Sequence, residues 1–322
     1  MSFAAAATRA YALGMFAEAP LVELGRVLQR AGYRFVTPTP ETHRRVLARG
    51  GEAKDVRDAL GWNRPFRRSV VPREVALLLD AAGALRSLDD DRAVAQVRFS
   101  TLDEFLFVHS AYPTLDPASV FFGPDTYRFV AMAQRALRSS PRALRLVDVG
   151  CGSGAGGIAL AHAAQKVVLA DINDAALSLT RVNVALAGLD PASVEVLKSD
   201  VLDGVAGAVD LVLANPPYLV DAEARAYRDG GGDLGAALSV RIAGESIARL
   251  APGGRLVLYT GTAIVGGRDT FLECVRPLLD AAGAAYTYET LDPDVFGEEL
   301  DRPGYAAVER IAVVGLYATA PA

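Results

Sequence analysis

From residue 144 onward the chain alternates short apolar runs with helical stripes, and that alternation leaves few folds open to it. The runs are 144–149, 166–170, 194–198, 209–214, 255–260, 285–289 and 310–317. Between them lie stretches such as 173–187, where Ala175, Leu179, Val182 and Leu186 recur on one stripe. Another carries Val240, Ala243, Ile247 and Leu250 and stops before Pro252-Gly253. Runs apolar on both faces, each followed by a helix, predict a parallel sheet covered on both sides. Ligands of such sheets sit outside the carboxyl ends of the strands, so functional residues are expected there.

The first of these ends is the most distinctive. The run 144–149 leads into Gly150-Cys151-Gly152-Ser153-Gly154, and a helix is expected to follow. Glycines there permit a tight turn and let backbone N–H groups approach a ligand closely. Asp148 sits at the end of that strand, Asp171 closes the next, and Asp200 the third. Asp171 falls about where a ribose diol needs an acceptor, and Asn173 is a good N-cap for the following helix. Gly152, Gly154 and Gly157 also satisfy the nicotinamide-dinucleotide spacing. At this stage an NAD-dependent oxidoreductase therefore competes with other nucleoside-cofactor enzymes.

The fourth run, 209–214, ends abruptly in Asn215-Pro216-Pro217-Tyr218. Two prolines fix φ and remove two backbone donors, so the main chain of this turn offers mostly acceptors. That suits a target –NH₂: the Asn215 side-chain oxygen and the Pro216 carbonyl each accept one of its hydrogens. Held so, the nitrogen aims its lone pair at a methyl donor, and the charge that develops on it is stabilised. Tyr218 supplies a flat face for a base or an amide plane.

With both motifs in place, the sequence resembles the class I methyltransferases of the Asn-Pro-Pro-Tyr branch. That branch includes release-factor glutamine methyltransferases, adenine-amine methyltransferases and small-domain ribosomal RNA guanine methyltransferases. The resemblance covers about residues 118–320. It implies a Rossmann-like α/β fold with a seven-stranded sheet and an antiparallel last strand. It implies S-adenosylmethionine lying across Asp148, Gly150, Gly152 and Gly154, with Asp171 at the ribose and Asp200 near the adenine. Thr126, Ile172, Val201 and Asn215 would complete the cofactor's surroundings. Asn215, Pro216 and Tyr218 would carry the methyl transfer, with Pro217 on the substrate side. The segment Phe121-Phe122-Gly123-Pro124-Asp125-Thr126 is similar to the Pro-Asp/Glu-Thr stretch of the glutamine enzymes, with Gly123 where arginine often stands. Asp229-Gly230-Gly231-Gly232-Asp233-Leu234 resembles a glycine-rich stretch downstream of their tetrapeptide.

The front of the chain follows another pattern. Leu21, Leu24 and Leu28 mark a helix that Gly32 can stop, with Gly25 an awkward residue inside it. A second helix is expected over 52–60, and a third opens at Pro72 and closes at Gly83. A hairpin over 84–99 and a strand at 105–108 then suggest a smaller helical, possibly winged-helix-like, module. The joint at Pro113–Pro117 divides the chain into 1–115 and 116–322.

Charge separates these parts. The net charge of −5 resolves into +5 over residues 1–100 and −10 over the remainder. The basic stretch Trp62-Asn63-Arg64-Pro65-Phe66-Arg67-Arg68 mixes cations with aromatics, a composition that suits phosphate pairing and base stacking. Arg64, Arg67 and Arg68 are the candidate substrate contacts. RNA, above all ribosomal RNA, is the expected acceptor through an exocyclic base amine; a glutamine in a translation protein comes next.

Other chemistry finds little support. His43, His109 and His162 stand apart without metal-ligand spacing and read as structural or surface residues. Cys151 and Cys274 form neither a disulfide framework nor a metal pattern. Nucleotide phosphate loops and nucleophile elbows are lacking. The expected location is cytoplasmic: the start does not read as a signal peptide, and no run approaches about 18 apolar residues.

Overall fold

The computed structural model describes residues 16–114, 116–138, 142–220, 228–232 and 234–322. Leu115 at the expected joint, Asp233 of the glycine-rich stretch and the first fifteen residues lie outside them.

The front contains α1 (Glu18–Arg30), α2 (Pro40–Ala48), α3 (Val56–Leu60), β1 (Phe66–Arg67), α4 (Arg73–Ala81), β2 (Leu85–Ser87), β3 (Arg92–Ala95), β4 (Val97–Leu102) and β5 (Phe105–Ser110). Leu21, Leu24 and Leu28 form the buried stripe of α1, as their spacing requires. Gly25 belongs there for contact: a Cβ would sit 2.5 Å from the Leu186 side chain. The helix expected over 52–60 is shorter, because Asp55 caps it by accepting from the Asp58 amide at 2.8 Å. α2 was not expected. Its lone buried side chain, His43, gives it no apolar stripe, and its start rests on Thr39 as N-cap with Pro40 at the first position. The strands form two units rather than one: an antiparallel sheet ordered β1-β3-β2, and a separate β4–β5 hairpin.

The remainder runs α5 (Pro124–Leu137), β6 (Ala143–Val149), α6 (Ala155–Ala159), β7 (Ala164–Asp171), α7 (Asp174–Leu186), β8 (Val194–Lys198), β9 (Val209–Ala214), α8 (Ala237–Arg249), β10 (Leu250–Val265), β11 (Arg268–Asp269), α9 (Thr270–Ala281), β12 (Ala285–Val295) and β13 (Arg310–Thr319). The main sheet is ordered β12-β13-β10-β9-β6-β7-β8, with the short β11 paired to β10. Neighbours from β10 through β8 are parallel, and β13 is antiparallel to both its neighbours. The seven-stranded path and its antiparallel last strand are as the resemblance implied. The helix after the glycine loop differs: α6 has five residues, and the chain then passes through a 3₁₀ turn holding His162.

Alternation along each central strand fills two cores. Leu146, Leu211 and Val313 point to one face, with Phe129 and Tyr259; Val147, Val212 and Val314 point to the other, with Phe271 and Val275. Each such side chain contributes roughly 1.5–3 kcal/mol on burial. A third core lies in the front, and α7 completes it: Ala175, Leu179, Val182 and Leu186 pack among Leu21, Leu24, Leu28 and Phe99. α7 is thus buried against the sheet on one side and against the front on the other. Among the described residues no helix is long and apolar enough to cross a membrane.

Candidate active site

At the carboxyl end of the parallel strands lies a cavity of about 540 Å³. Two turns that are distant in sequence meet there, the glycine loop after β6 and the tetrapeptide after β9.

The glycine loop is held by the carboxylates at its strand ends. Gly150, Gly152 and Gly154 all have left-handed φ, at 64°, 57° and 78°. A side chain would be strained at each. The Asp171 carboxylate accepts from the Gly152 amide and the Asn173 amide, both at 2.8 Å. Asp148 accepts from the Gly157 amide at 2.7 Å. Burial raises the Asp148 carboxyl to about 7; the Gly157 amide opposes this shift and the Asp171 charge adds to it. Burial likewise raises the Asp171 carboxyl, against the pull of the main-chain amides it accepts from. Asn173 caps α7 as expected, accepting from the Ala175 amide at 3.0 Å. From α7, Thr180 donates to the Gly152 carbonyl at 2.9 Å and Asn183 to the Ser153 carbonyl at 2.8 Å.

Asp148, Gly150, Gly152, Asp171, Ile172, Asp200, Val201 and Thr126 all line the cavity. Asp200 forms an ion pair with Arg241 at 2.8 Å and stays half exposed. Ile172 is 57% exposed, an apolar surface at the cavity's edge. Thr126 is buried and accepts from the Gly123 amide at 3.2 Å, closing the start of α5. Gly154 stands apart, lying beneath the loop where a Cβ would meet Ile158 and Thr180.

Asn215, Pro216, Pro217 and Tyr218 line the same cavity. Asn215 is half-buried, and the Tyr218 ring lies against Gly261, where a Cβ would come within 2.1 Å of it. The Tyr218 hydroxyl donates to Asp125 at 2.7 Å, so that group is taken up by the protein. Burial, with the Asp125 charge beside it, drives the phenol pKa far up and keeps it protonated. Behind the turn, Leu219 receives the Gly230 amide at 2.8 Å, which ties the glycine-rich stretch to the tetrapeptide. Gly235 packs so close that a Cβ would lie 2.4 Å from the Tyr218 carbonyl.

Several lining residues were not foreseen. Thr39, Pro40 and Glu41 come from the front, Asp125 and Arg128 from α5, and Asp292, Asp294, Phe296 and Glu298 from the end of β12 and the turn after it. Of these only Asp125 lay in a segment that the sequence marked. Among the described residues eight carboxylates line the cavity, with the guanidinium groups of Arg128 and Arg228; of the eight, Glu41 is paired with Arg44 and Arg45 and Asp200 with Arg241. Arg64, Arg67 and Arg68 lie elsewhere. Arg64 donates to the carbonyls of Val46 in the last turn of α2 and of Gly50 and Gly51 just after it. Arg67 pairs with Asp91 at 2.7 Å and with Glu52, and Arg68 pairs with Asp80 at 2.8 Å.

These features fit S-adenosylmethionine. The loop leaves open space above Gly150 and Gly152, Asp171 offers oxygens at the adjoining strand end, and the acidic lining complements a sulfonium cation.

Comparison with known proteins agrees. A family model described as "Methyltransferase small domain" matches residues 130–262. The release factor glutamine methyltransferase of Moorella thermoacetica is 31% identical over 281 residues, covering 79% of this chain and 93% of the relative. The ribosomal RNA small subunit methyltransferase C of Chromohalobacter salexigens is 34% identical over 143 residues, covering 44% of this chain and 37% of the relative. The chain spans about half the length of two further release factor glutamine methyltransferases, 55% of each. Among solved structures, Trm5b from Pyrococcus abyssi superposes with a TM-score of 0.50 at 14% identity, covering 78% of this chain and 69% of that one, a likeness of fold. The chain therefore belongs to the class I S-adenosylmethionine-dependent methyltransferases of the Asn-Pro-Pro-Tyr branch, the branch of the release factor glutamine methyltransferases.

Proposed function

We propose that the chain transfers a methyl group from S-adenosylmethionine to a planar –NH₂, and that the acceptor is the side-chain amide of a glutamine in a protein of translation. One observation carries the reaction: Asn215 and Pro216 open onto the same cavity as Asp148, Gly150 and Asp171. The cofactor supplies an electrophilic methyl on positively charged sulfur. The Asn215 oxygen and the Pro216 carbonyl accept the two hydrogens of the target nitrogen and direct its lone pair along the line of displacement. The same acceptors stabilise the positive charge the nitrogen gains. On transfer the nitrogen would gain an N–C bond as the donor's S–C bond breaks, with a neutral thioether as leaving group, and would then release one proton to solvent.

Charge favours a protein over a polyanion. Asp294 and Glu298 line the cavity besides the carboxylates near the cofactor loop and would repel a phosphate backbone, whereas Glu41 is paired with Arg44 and Arg45 and Asp292 with Arg128. Arg67 and Arg68 are already neutralised by carboxylates. The near full-length match to the Moorella relative points the same way. A base amine of ribosomal RNA is the second reading, supported by the +5 charge of residues 1–100 and by the Chromohalobacter relative.

The test is transfer of tritium from S-adenosyl-[methyl-³H]methionine into a desalted lysate of cells lacking this protein. Label removed by protease supports the glutamine reading, and label removed by nuclease replaces it with the RNA reading. No transfer above that of Asn215→Ala would overturn both.

A further inference from the structure

The turn proposed to hold the target nitrogen has an anchoring problem. Residues 215–218 include two prolines, so the main chain offers few donors with which to fasten itself to the fold. One strong fastening is a side chain. The Tyr218 hydroxyl donates to Asp125 at 2.7 Å, across 93 residues of sequence. Asp125 also accepts from the Tyr259 hydroxyl at 2.9 Å and from Arg128 at 3.3 Å. One carboxylate thereby joins the start of α5, the tetrapeptide and the central strand β10. Asp125 is 8% exposed and lines the cavity. A charge in such a place is costly unless its lone pairs are filled, and here three donors fill them. Charge-assisted bonds of this kind are short and about twice as strong as neutral ones. The Tyr218 ring also lies against Gly261, where any side chain would collide with it.

Resting on the proposed amine-holding role of Asn215, we infer that Asp125 is a positioning residue for methyl transfer: it fixes Tyr218 and, through it, the two acceptors of the preceding turn. Tyr259 shares the carboxylate but lies in β10 outside the tetrapeptide, so the two phenols separate positioning from packing. Asn in place of Asp125 has the same shape but no charge: it accepts from one phenol and must donate to the oxygen of the other, so one contact reverses and both lose their charge assistance.

The experiment compares Asp125→Asn, Tyr218→Phe, Tyr259→Phe and the double variant Asp125→Asn/Tyr218→Phe in the tritium-transfer assay, with cofactor affinity and melting measured on each. Turnover of Asp125→Asn and Tyr218→Phe is expected to fall about 10–100-fold, the scale of a small misplacement of reacting groups. The double variant is expected to be no worse than the poorer single one, because both changes remove one contact. Tyr259→Phe is expected to keep turnover within about threefold, and cofactor affinity to hold throughout. Multiplying losses in the double variant, or equal losses in the two Tyr→Phe variants, would overturn the inference. So would normal turnover in a folded Asp125→Asn protein. Should Asp125→Asn fail to fold, the two Tyr→Phe variants decide alone. Asn215→Ala in the same assay keeps the two ideas apart: if it is also fully active, the amine-holding reading fails; if it alone is inactive, only the role of Asp125 does.

Discussion

The Asn183 carboxamide donates to the Ser153 carbonyl of the glycine loop at 2.8 Å, and the same side chain exchanges two hydrogen bonds with the backbone of Val108, at 2.8 and 3.0 Å. It is fully buried. One side chain in α7 thus fastens the cofactor loop to the β4–β5 hairpin of the front. Asp at this position keeps the shape but turns an oxygen toward two carbonyls. Asn183→Asp should lower the melting temperature, with a loss of about 1–3 kcal/mol or more for the buried groups left unpaired. It should also weaken S-adenosylmethionine binding. Calorimetry and melting on the same sample check it; unchanged cofactor affinity would mean the loop holds its shape without Asn183.

Asn215→Ala should act on rate. Removing a preorganised acceptor of this kind costs about 100–1000-fold in turnover. Melting temperature and cofactor affinity should scarcely move, since the residue is half-buried at the cavity wall. A folded variant with near-normal turnover would refute the role given to the turn.

Asp148 makes the cofactor site sensitive to pH. Its carboxyl titrates at about 7 in the folded chain, against 3.8 as the ordinary value. Between those values the folded state holds a proton the unfolded chain has lost, so stability of the ligand-free protein falls as pH rises through that window and levels above it. A cation in the cavity favours the carboxylate instead. S-adenosylmethionine binding should therefore expel a proton, and its affinity should rise between about pH 5.5 and 7.5 before levelling. Titrations in two buffers of different ionisation heat read the proton directly, and Asp148→Asn should abolish the dependence. An affinity flat across that range in the unaltered protein would contradict this assignment.

Arg67 and Arg68 distinguish the two acceptors. Exposed pairs like theirs contribute roughly 0–1 kcal/mol, so Arg67→Ala/Arg68→Ala should fold normally. With a glutamine acceptor, transfer should stay within about twofold of the unaltered protein, as neither residue faces the cavity. With an RNA acceptor it should fall, and the slope of binding against salt should become shallower by one to two charges. The salt slope of acceptor binding is the measurement.

Much of the catalytic half was legible because the physics there is local and repetitive. Central strands buried on both faces read as apolar runs, and a turn made of glycines or of two prolines is unmistakable in sequence. Strand β10 was underestimated since its start passes through Pro252-Gly253-Gly254 with a shift of register between Leu250 and Arg255. Asp125 could be read as part of a motif, but its partner lies 93 positions away, and no periodicity encodes that pairing. For Arg64, Arg67 and Arg68 composition carries only part of the picture. It counts cations without showing that Asp80, Asp91 and a row of carbonyls already engage them.

A helix packed on two opposite sides has little apolar surface left to show to water. α7 has apolar rows on two sides, with Ala175, Leu179, Val182 and Leu186 turned to the front and Val184 to the sheet. Cutting the chain near residue 116 would uncover that first row, and the remaining piece would carry a sticky strip beside its own cofactor loop. The front and the sheet are therefore not expected to be exchangeable at a linker. The two parts should melt together, and a change in the front is expected to reach the cofactor loop through α7.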